Sequence, residues 1–335
     1  VERDRSAGSP WWSMWATVVA DLFRFVGTWG REIRDSRGRH LVTALPLLYL
    51  VAFFLVPFLF VLKISFATST IGQPPYTPLF AWGEDGALTI RLVFENYRAL
   101  LGDPLYVGAY LNSLWFATVA TVVCLLIGYP IAYGIARARP AVRVVLLVLV
   151  ILPFWTSSLL RSYALIGILR TNGVLNQLLM GLGIIDQPLE ILHTNFAVHI
   201  GIVYNYLPFM ILPLVATLMR LDFTLLEAAA DLGARPASAF LRVTLPLSIP
   251  GIVAGSLLVF IPAVGEFVIP DLLGGPDSLT IGRVLWTEFF TNRDWSLAAA
   301  VAVAMLALIV IPIMLFEWLN ERESRRDEGR ASGAP

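Results

Sequence analysis

Apolar residues along this chain gather into six long stretches, roughly 41–62, 108–136, 144–169, 196–219, 247–270 and 295–316, and the segments between them hold most of the charge. A hydrocarbon core about 30 Å thick needs about 20 apolar residues in helical form. Each stretch meets or approaches that length, so the pattern predicts six membrane-spanning helices. Only two carry a charge: Arg161 interrupts the third and Glu266 lies late in the fifth.

The segments outside these stretches have patterns of their own. Residues 11–30 read WWSMWATVVADLFRFVGTWG, with Ser13, Thr17, Asp21, Arg24, Thr28 and Arg31 recurring at helical spacing. Trp11, Trp15, Val18, Leu22, Phe25 and Trp29 fall on the opposite side, as expected of an amphipathic helix lying in the membrane interface. Asp21 and Arg24 break the apolar centre that a cleaved leader needs, which favours the interfacial helix. Residues 65–107 contain Gln73-Pro74-Pro75-Tyr76 and Trp82-Gly83-Glu84-Asp85-Gly86, turn-forming runs that exclude a long helix. Residues 172–195 pass through a Gly-rich turn at Gly181–Gly183 and suggest a short interfacial helix, and residues 320–335 read as a flexible charged tail.

The most informative polar segment is 225–246. Leu225–Leu232 is rich in Ala and Leu and predicts a short helix. Gly233 can end it in the left-handed conformation, and Arg235-Pro236 restarts a helix because proline fits a first turn. Asp231, Arg235 and Arg242 mark it as a water-facing helix-turn-helix rather than a span.

Composition agrees with a bilayer protein: 57% of the 335 residues are hydrophobic, 14% are charged and mean hydropathy is +0.74. Net charge is zero and no aromatic-interleaved basic patch appears, so nucleic acid is not an expected partner. The single cysteine, Cys124, lies in an apolar run and excludes an intrachain disulfide framework. Lys and Arg accumulate on the cytoplasmic side of membranes. Seven precede the first stretch, three separate the second from the third, Arg220, Arg235 and Arg242 follow the fourth, and four end the chain; a cytoplasmic N-terminus thus places 17 of 24 inside. Both termini and the 225–246 loop are then cytoplasmic.

Candidate chemistry is sparse. His40, His193 and His199 have no metal-ligand spacing and there is no phosphate-binding loop, so no catalytic residue, metal or cofactor is expected on this chain. Prolines at 57, 130, 153, 208, 213, 262 and 312 suggest bent helices around a wet interior. If the third and fifth spans are straight, Arg161 and Glu266 lie about 27 and 28 Å along them at 1.5 Å per residue, at similar depth near the external end. Two readings of them stay open: an ion pair that fixes the two spans together, or groups facing a translocation path with Asp271 just outside.

The loop resembles a known signature. Glu227-Ala228-Ala229, three residues, Gly233, nine residues, then Val243, one residue and Leu245-Pro246 is similar to the EAA loop of bacterial ABC importer permeases. In that family the loop is the coupling helix, docked in a groove of a cytoplasmic ATPase; Glu227, Ala228, Ala229, Gly233, Arg235, Val243, Leu245 and Pro246 are its counterparts here. LPFWTSSLLRSYA (152–164), YNYLPFMILPL (204–214) and LVFIPAVGEFVIPDLLGG (258–275) resemble the third, fourth and fifth spans of the polyamine branch, nearest its B-type permease. The resemblance implies an all-α integral membrane protein with the type I importer fold and its permease domain at 41–319. It also implies the bacterial inner membrane, a second homologous permease, two ATPase subunits carrying ATP and Mg, and a periplasmic or lipid-anchored binding protein. A spermidine or putrescine cargo needs carboxylates and aromatic faces; Glu266, Asp271, Trp155, Tyr163, Tyr204, Asn205 and Tyr206, with Arg161, are the path candidates. Other small organic cations, opines or amino acid derivatives are the alternative cargoes, and an ion-driven transporter the alternative class.

Overall fold

The computed structural model describes residues 39–82, 88–90, 92–222, 224–310 and 314 of the 335. The expected interfacial helix at 11–30 and the charged tail lie outside the described residues. The chain divides into two compact units, residues 1–61 and 62–335.

α1 (Arg39–Leu50), in the first unit, continues through a π-helical turn, Val51–Leu55, into α2 (Val56–Ser65), whose last residues, from Leu62, are counted in the second unit. The wide turn has a local cause. Pro57 has no N–H to offer the preceding turn and its ring crowds the carbonyl four residues back, and the Val56 N–H reaches Val51 O, five residues back. Residues Ala44–Ser65 together are long and apolar enough to cross a membrane.

After α2 the chain is irregular, as the turn-rich sequence predicts. Ser69 and Tyr76 form an isolated bridge, and β1 (Phe80–Trp82) pairs antiparallel with β2 (Leu88–Ile90). The segment is tied back on itself: Asn96 Nδ2 donates to Ser65 O at 3.0 Å and Ala67 O at 2.8 Å, and Ser65 Oγ hydrogen-bonds Tyr97 Oη at 2.7 Å. Asn96 and Tyr97 belong to α3 (Glu95–Gly102).

Three helices form the heart of the second unit. α4 (Pro104–Arg137) is capped by Asp103, whose Oδ1 accepts from Leu105 N at 2.9 Å, with Pro104 in the first turn. At 34 residues it is about 51 Å long, more than one bilayer core. α8 (Asn195–Leu218) and α12 (Ile249–Val264) pack against it. Lipid supplies no hydrophobic drive for helix association, so small residues that permit close approach do the work. Gly251 and Gly255 of α12 face α8, where a Cβ at Gly255 would lie 2.8 Å from Met210 Sδ and 3.1 Å from Met210 O. Gly128 of α4 meets the same methionine, and Cys124, Tyr129, Ala132, Leu214 and Val259 complete that core.

The third expected span is not one straight helix. α5 (Pro140–Ile151) runs into a 3₁₀ turn, Leu152–Trp155, and after Thr156 and Ser157 the chain restarts as α6 (Ser158–Leu169) and α7 (Val174–Gly181). The bend between Pro140–Trp155 and Ser158–Gly181 is 91°. Pro153 removes a helical hydrogen bond, and Thr156 and Ser157 take extended backbone angles that end the helix. The 27 Å depth of Arg161 on a straight helix therefore does not hold.

The fifth span is broken as well. α9 (Thr224–Asp231) and α10 (Pro236–Ala239) precede a π turn, Phe240–Thr244, and α11 (Leu245–Leu247), after which α12 turns by 64°. α12 stops at Val264; α13 (Val268–Leu273) is a separate short helix, so Glu266 occupies a break and not a helical turn. α14 (Ile281–Trp286) and a π turn, Thr287–Thr291, lead to the apolar helix α15 (Trp295–Val310). Among the described residues three helices are long and apolar enough to span a membrane, five if each bent pair is one span, with α15 shorter.

Candidate functional site

The two breaks bring the intramembrane charges to one place. On α6, Arg161, Leu165 and Leu169 are spaced four apart and all buried, so Arg161 lies on the face that packs inward. Leu160 and Tyr163 fall on the outer face. α8 contributes Asn205, Tyr206 and Phe209, and the break after α12 contributes Gly265, Glu266 and Phe267. With Phe154, Ser158, Ser162 and Pro262 these residues line a cavity of about 440 Å³, within the range of small-molecule sites.

Glu266 is the best satisfied group in it. Tyr206 Oη donates to Oε2 at 2.6 Å, while Oε1 accepts from Val268 N at 3.0 Å and Ile269 N at 3.3 Å, capping the first turn of α13. The break itself is held by Thr280 Oγ1, which donates to Glu266 O at 3.2 Å, and by Gly282, where a Cβ would sit 2.5 Å from Gly265 O. Only glycine permits that approach.

Arg161 is the reverse case. It is 9% exposed, its Nε and Nη1 are sealed from solvent without a hydrogen-bond partner, and its guanidinium carbon lies 5.5 Å from the Phe154 ring centre. Among the described residues no ion pair joins it to Glu266, so the structural pair considered from sequence is not formed here. The Phe154 ring face supplies a cation–π contact of about 1–2 kcal/mol, against a desolvation penalty of several kcal/mol for an unpaired buried ion. Asn205, 5% exposed, is also incomplete: Nδ2 donates to Gly201 O at 2.9 Å and Oδ1 has no partner.

Of the residues expected on the path, the cavity unites Arg161, Asn205, Tyr206 and Glu266. It leaves out four. Asp271 on α13 pairs with Arg283 Nε at 3.0 Å, and Trp155, Tyr163 and Tyr204 are 80%, 58% and 43% exposed on outward faces. Phe154, Phe209 and Phe267 are lining residues that the sequence reading passed over, and Pro262 entered it only as a helix-bending proline. Helical spacing offered the clue for Phe209, four residues beyond Asn205, but the two helix breaks that deliver Phe154 and Phe267 depend on the fold.

The second functional feature is the loop. Asp222 Oδ1 accepts from Thr224 N at 3.0 Å, which holds the Asp222 carboxyl below its ordinary range and starts α9. Gly233 has φ +80°, and Gly233 N donates to Ala230 O and Ala234 N to Ala229 O, both at 2.9 Å. Those paired bonds are a Schellman ending, for which a left-handed residue is required. Arg235 is extended and Pro236 opens the next turn. No residue of α9 is buried, and Glu227, Ala228 and Leu232 are exposed. At the far end Phe240 stacks edge-on against Tyr129 and Tyr133 of α4, at 5.5 and 6.2 Å between ring centres, and Ser248 Oγ hydrogen-bonds Tyr129 Oη at 2.9 Å. The loop is thus exposed at Glu227–Gly233 and anchored at Phe240–Ser248; Val243 and Leu245 are half-buried there and Pro246 exposed.

The described chain is thus a membrane protein of broken apolar helices around this cavity, with an exposed helix-turn-helix loop. Residues 125–325 match the family described as the binding-protein-dependent transport system inner membrane component, and the chain belongs to that family. It is 41% identical to the spermidine/putrescine transport system permease protein PotB of Haemophilus influenzae, over 89% of this chain and 99% of that protein. Identity to PotB of Escherichia coli is 42%, over 82% and 94%. The inner membrane ABC transporter permease protein YdcU of Escherichia coli is 33% identical, over 67% and 75%. Among solved structures, a bacterial ABC transporter involved in the import of the acidic polysaccharide alginate superposes with a TM-score of 0.64 over 88% of this chain and 99% of that one. The alginate transporter in complex with a pentasaccharide-bound periplasmic protein gives 0.65 over 87% and 96%. Both are 15% identical and share the type I ABC permease fold.

Proposed function

We propose that this chain is the membrane-spanning subunit of an ATP-driven importer of polyamines, spermidine and putrescine. The observation that carries the cargo is the 41% identity, along nearly its whole length, to a protein named for spermidine and putrescine transport. Six spans with both termini cytoplasmic, as the Lys and Arg distribution favours, put the Glu227–Pro246 loop on the side where an ATPase can reach it. The exposed α9 and its left-handed Gly233 stop support the coupling role: a short helix with no buried residue, only Leu226 and Ala229 being half-buried, has a free face for a partner.

One such loop engages one ATPase, and a pair of ATPases that closes around ATP needs two. A second, homologous permease supplies the other loop, a periplasmic or lipid-anchored binding protein delivers cargo, and ATP and Mg stay on the ATPases. Arg161, Asn205, Tyr206 and Glu266 lie on the path, with Asp271 nearer its mouth.

The test is uptake of labelled spermidine and putrescine into proteoliposomes that hold this chain, its second permease and the ATPases, with binding protein outside and ATP inside. ATP-dependent accumulation of both is expected. Accumulation of neither, with ATP hydrolysis stimulated by another cargo, overturns the polyamine assignment; uptake driven by an ion gradient without ATP overturns the class.

A further inference from the structure

The loop and the cavity both lean on α4, at positions far apart along it. Near the Arg137 end, the Phe240 ring sets its edge against Tyr129 and Tyr133, and Tyr129 Oη lies 2.9 Å from Ser248 Oγ. Ser248 Oγ gives its single proton to Leu245 O at 2.8 Å, so Tyr129 is the donor in that bond. Both side chains are buried. On the other side of the junction a Cβ at Gly251 would lie 2.6 Å from Thr217 Oγ1 of α8. The start of α12 is thus gripped between α4 and α8, and a close-packed interior passes a displacement on rather than absorbing it.

Toward its Pro104 end, α4 holds the stretch that backs the cavity break. Ser113 Oγ accepts from Ile281 N at 2.9 Å, Asn112 Nδ2 donates to Leu279 O at 3.2 Å, and Tyr106 Oη donates to Glu288 Oε1 at 2.9 Å. The same stretch carries Thr280, bonded to Glu266 O, and Gly282, pressed on Gly265 O. It also carries Trp286, whose ring stacks on Phe267 at 4.7 Å with 14° between planes. Ser113 precedes Tyr129 by 16 residues of unbroken helix, about 24 Å.

We propose that Tyr129 is the positioning residue through which a displacement of the loop reaches Glu266. α4 carries the motion from the Ser248 joint to the α14 joint, and α14 shifts the Gly265–Phe267 break. The ring edge of Phe240 resists approach and the Tyr129 hydrogen bond resists separation, so together they pass a stroke in both directions. The proposal rests on the coupling reading of the loop and adds the residues that link it to the cavity.

The experiment uses the assembled complex of both permeases and the ATPases in lipid nanodiscs. Ser158→Cys, in a Cys124→Ala background, places a thiol on the cavity wall. Its modification by a charged methanethiosulfonate is followed by mass spectrometry of this chain, with and without ATP and vanadate. Nucleotide trapping is expected to change the rate by about threefold or more when Tyr129 and Phe240 are present. Tyr129→Phe keeps the ring against Phe240 and leaves Ser248 bonded to Leu245 O, so no buried hydroxyl is stranded. It should trap the same amount of nucleotide and melt within a degree or two, with the rate change cut to under half. Phe240→Leu keeps apolar bulk without the ring edge and should weaken the response as well, and the double variant should abolish it. An undiminished response in both single variants overturns the proposal. So does a response lost only together with nucleotide trapping or with a large fall in melting temperature, since Tyr129 would then act on folding alone. A chain with Tyr129 and Phe240 intact that shows no rate change while nucleotide is trapped also overturns it. Failure to trap nucleotide at all overturns the coupling reading and the proposal with it. No arm contains cargo, so absent spermidine uptake beside the expected responses overturns the polyamine reading alone.

Discussion

Replacing Gly233 with valine isolates the coupling loop from the rest of the molecule. The position has φ +80°, and a Cβ there meets nothing within 4 Å, so the substitution creates no clash with neighbouring groups and its cost is local. A left-handed backbone costs an L-residue about 1–2 kcal/mol, more when it is β-branched. Escaping that strain means giving up the Gly233 N to Ala230 O and Ala234 N to Ala229 O bonds, worth about 0.5–1.5 kcal/mol each. The loop therefore loses roughly 1–3 kcal/mol of preference for its observed shape by either route, and at 1.4 kcal/mol per factor of ten the ratio of competent to other loop shapes falls about fivefold to a hundredfold. The helix core is untouched, so Gly233→Val should reach the membrane in normal amount and lose most ATP-driven uptake. Gly233→Asn, which tolerates the left-handed region, should be several times more active than the valine variant. Uptake per unit of membrane-inserted protein is the measurement. Normal transport by Gly233→Val, or an equal defect in the asparagine variant, would refute the argument from backbone conformation.

Three further outcomes follow from named contacts. Tyr206→Phe removes the 2.6 Å bond to Glu266; bonds to charged groups are worth about 1.5–3 kcal/mol, so the purified complex should melt at lower temperature and show reduced uptake. The Glu266→Gln, Arg161→Met double variant should not recover the activity lost by Glu266→Gln alone, because Glu266 is held by Tyr206 and the α13 backbone rather than by Arg161; a full recovery in uptake would restore the ion-pair reading. Asp271→Asn breaks an exposed pair with Arg283 that is worth about 0–1 kcal/mol, so the melting temperature should stay within a degree or two.

The sequence alone determined what depends on local chemistry. Length and hydropathy of the apolar stretches required helices in lipid, because a backbone without water must satisfy its own hydrogen bonds. Gly233 between an Ala-rich run and Arg235-Pro236 required a stop and restart, since only glycine takes that conformation cheaply, and the Schellman bonds formed there follow from it. The turn-rich 65–107 segment and a short helix within 172–195, found at Val174–Gly181, were likewise local matters. Tertiary structure decided where the spans break and what the breaks carry. Prolines are spread through many spans and most are absorbed: Pro208 and Pro213 lie inside an unbroken α8. Pro153 sits at a 91° bend, and α12 stops at Val264 because Gly282, Thr280 and Tyr206 from elsewhere in the chain hold the Gly265–Phe267 segment in place. The partner of Glu266 was beyond reach for the same reason. Opposite charges at equal sequence depth suggested Arg161, yet a carboxylate at a helix break finds backbone N–H groups and a hydroxyl nearer than a guanidinium on another helix, and only the packed arrangement reveals which donor arrives first.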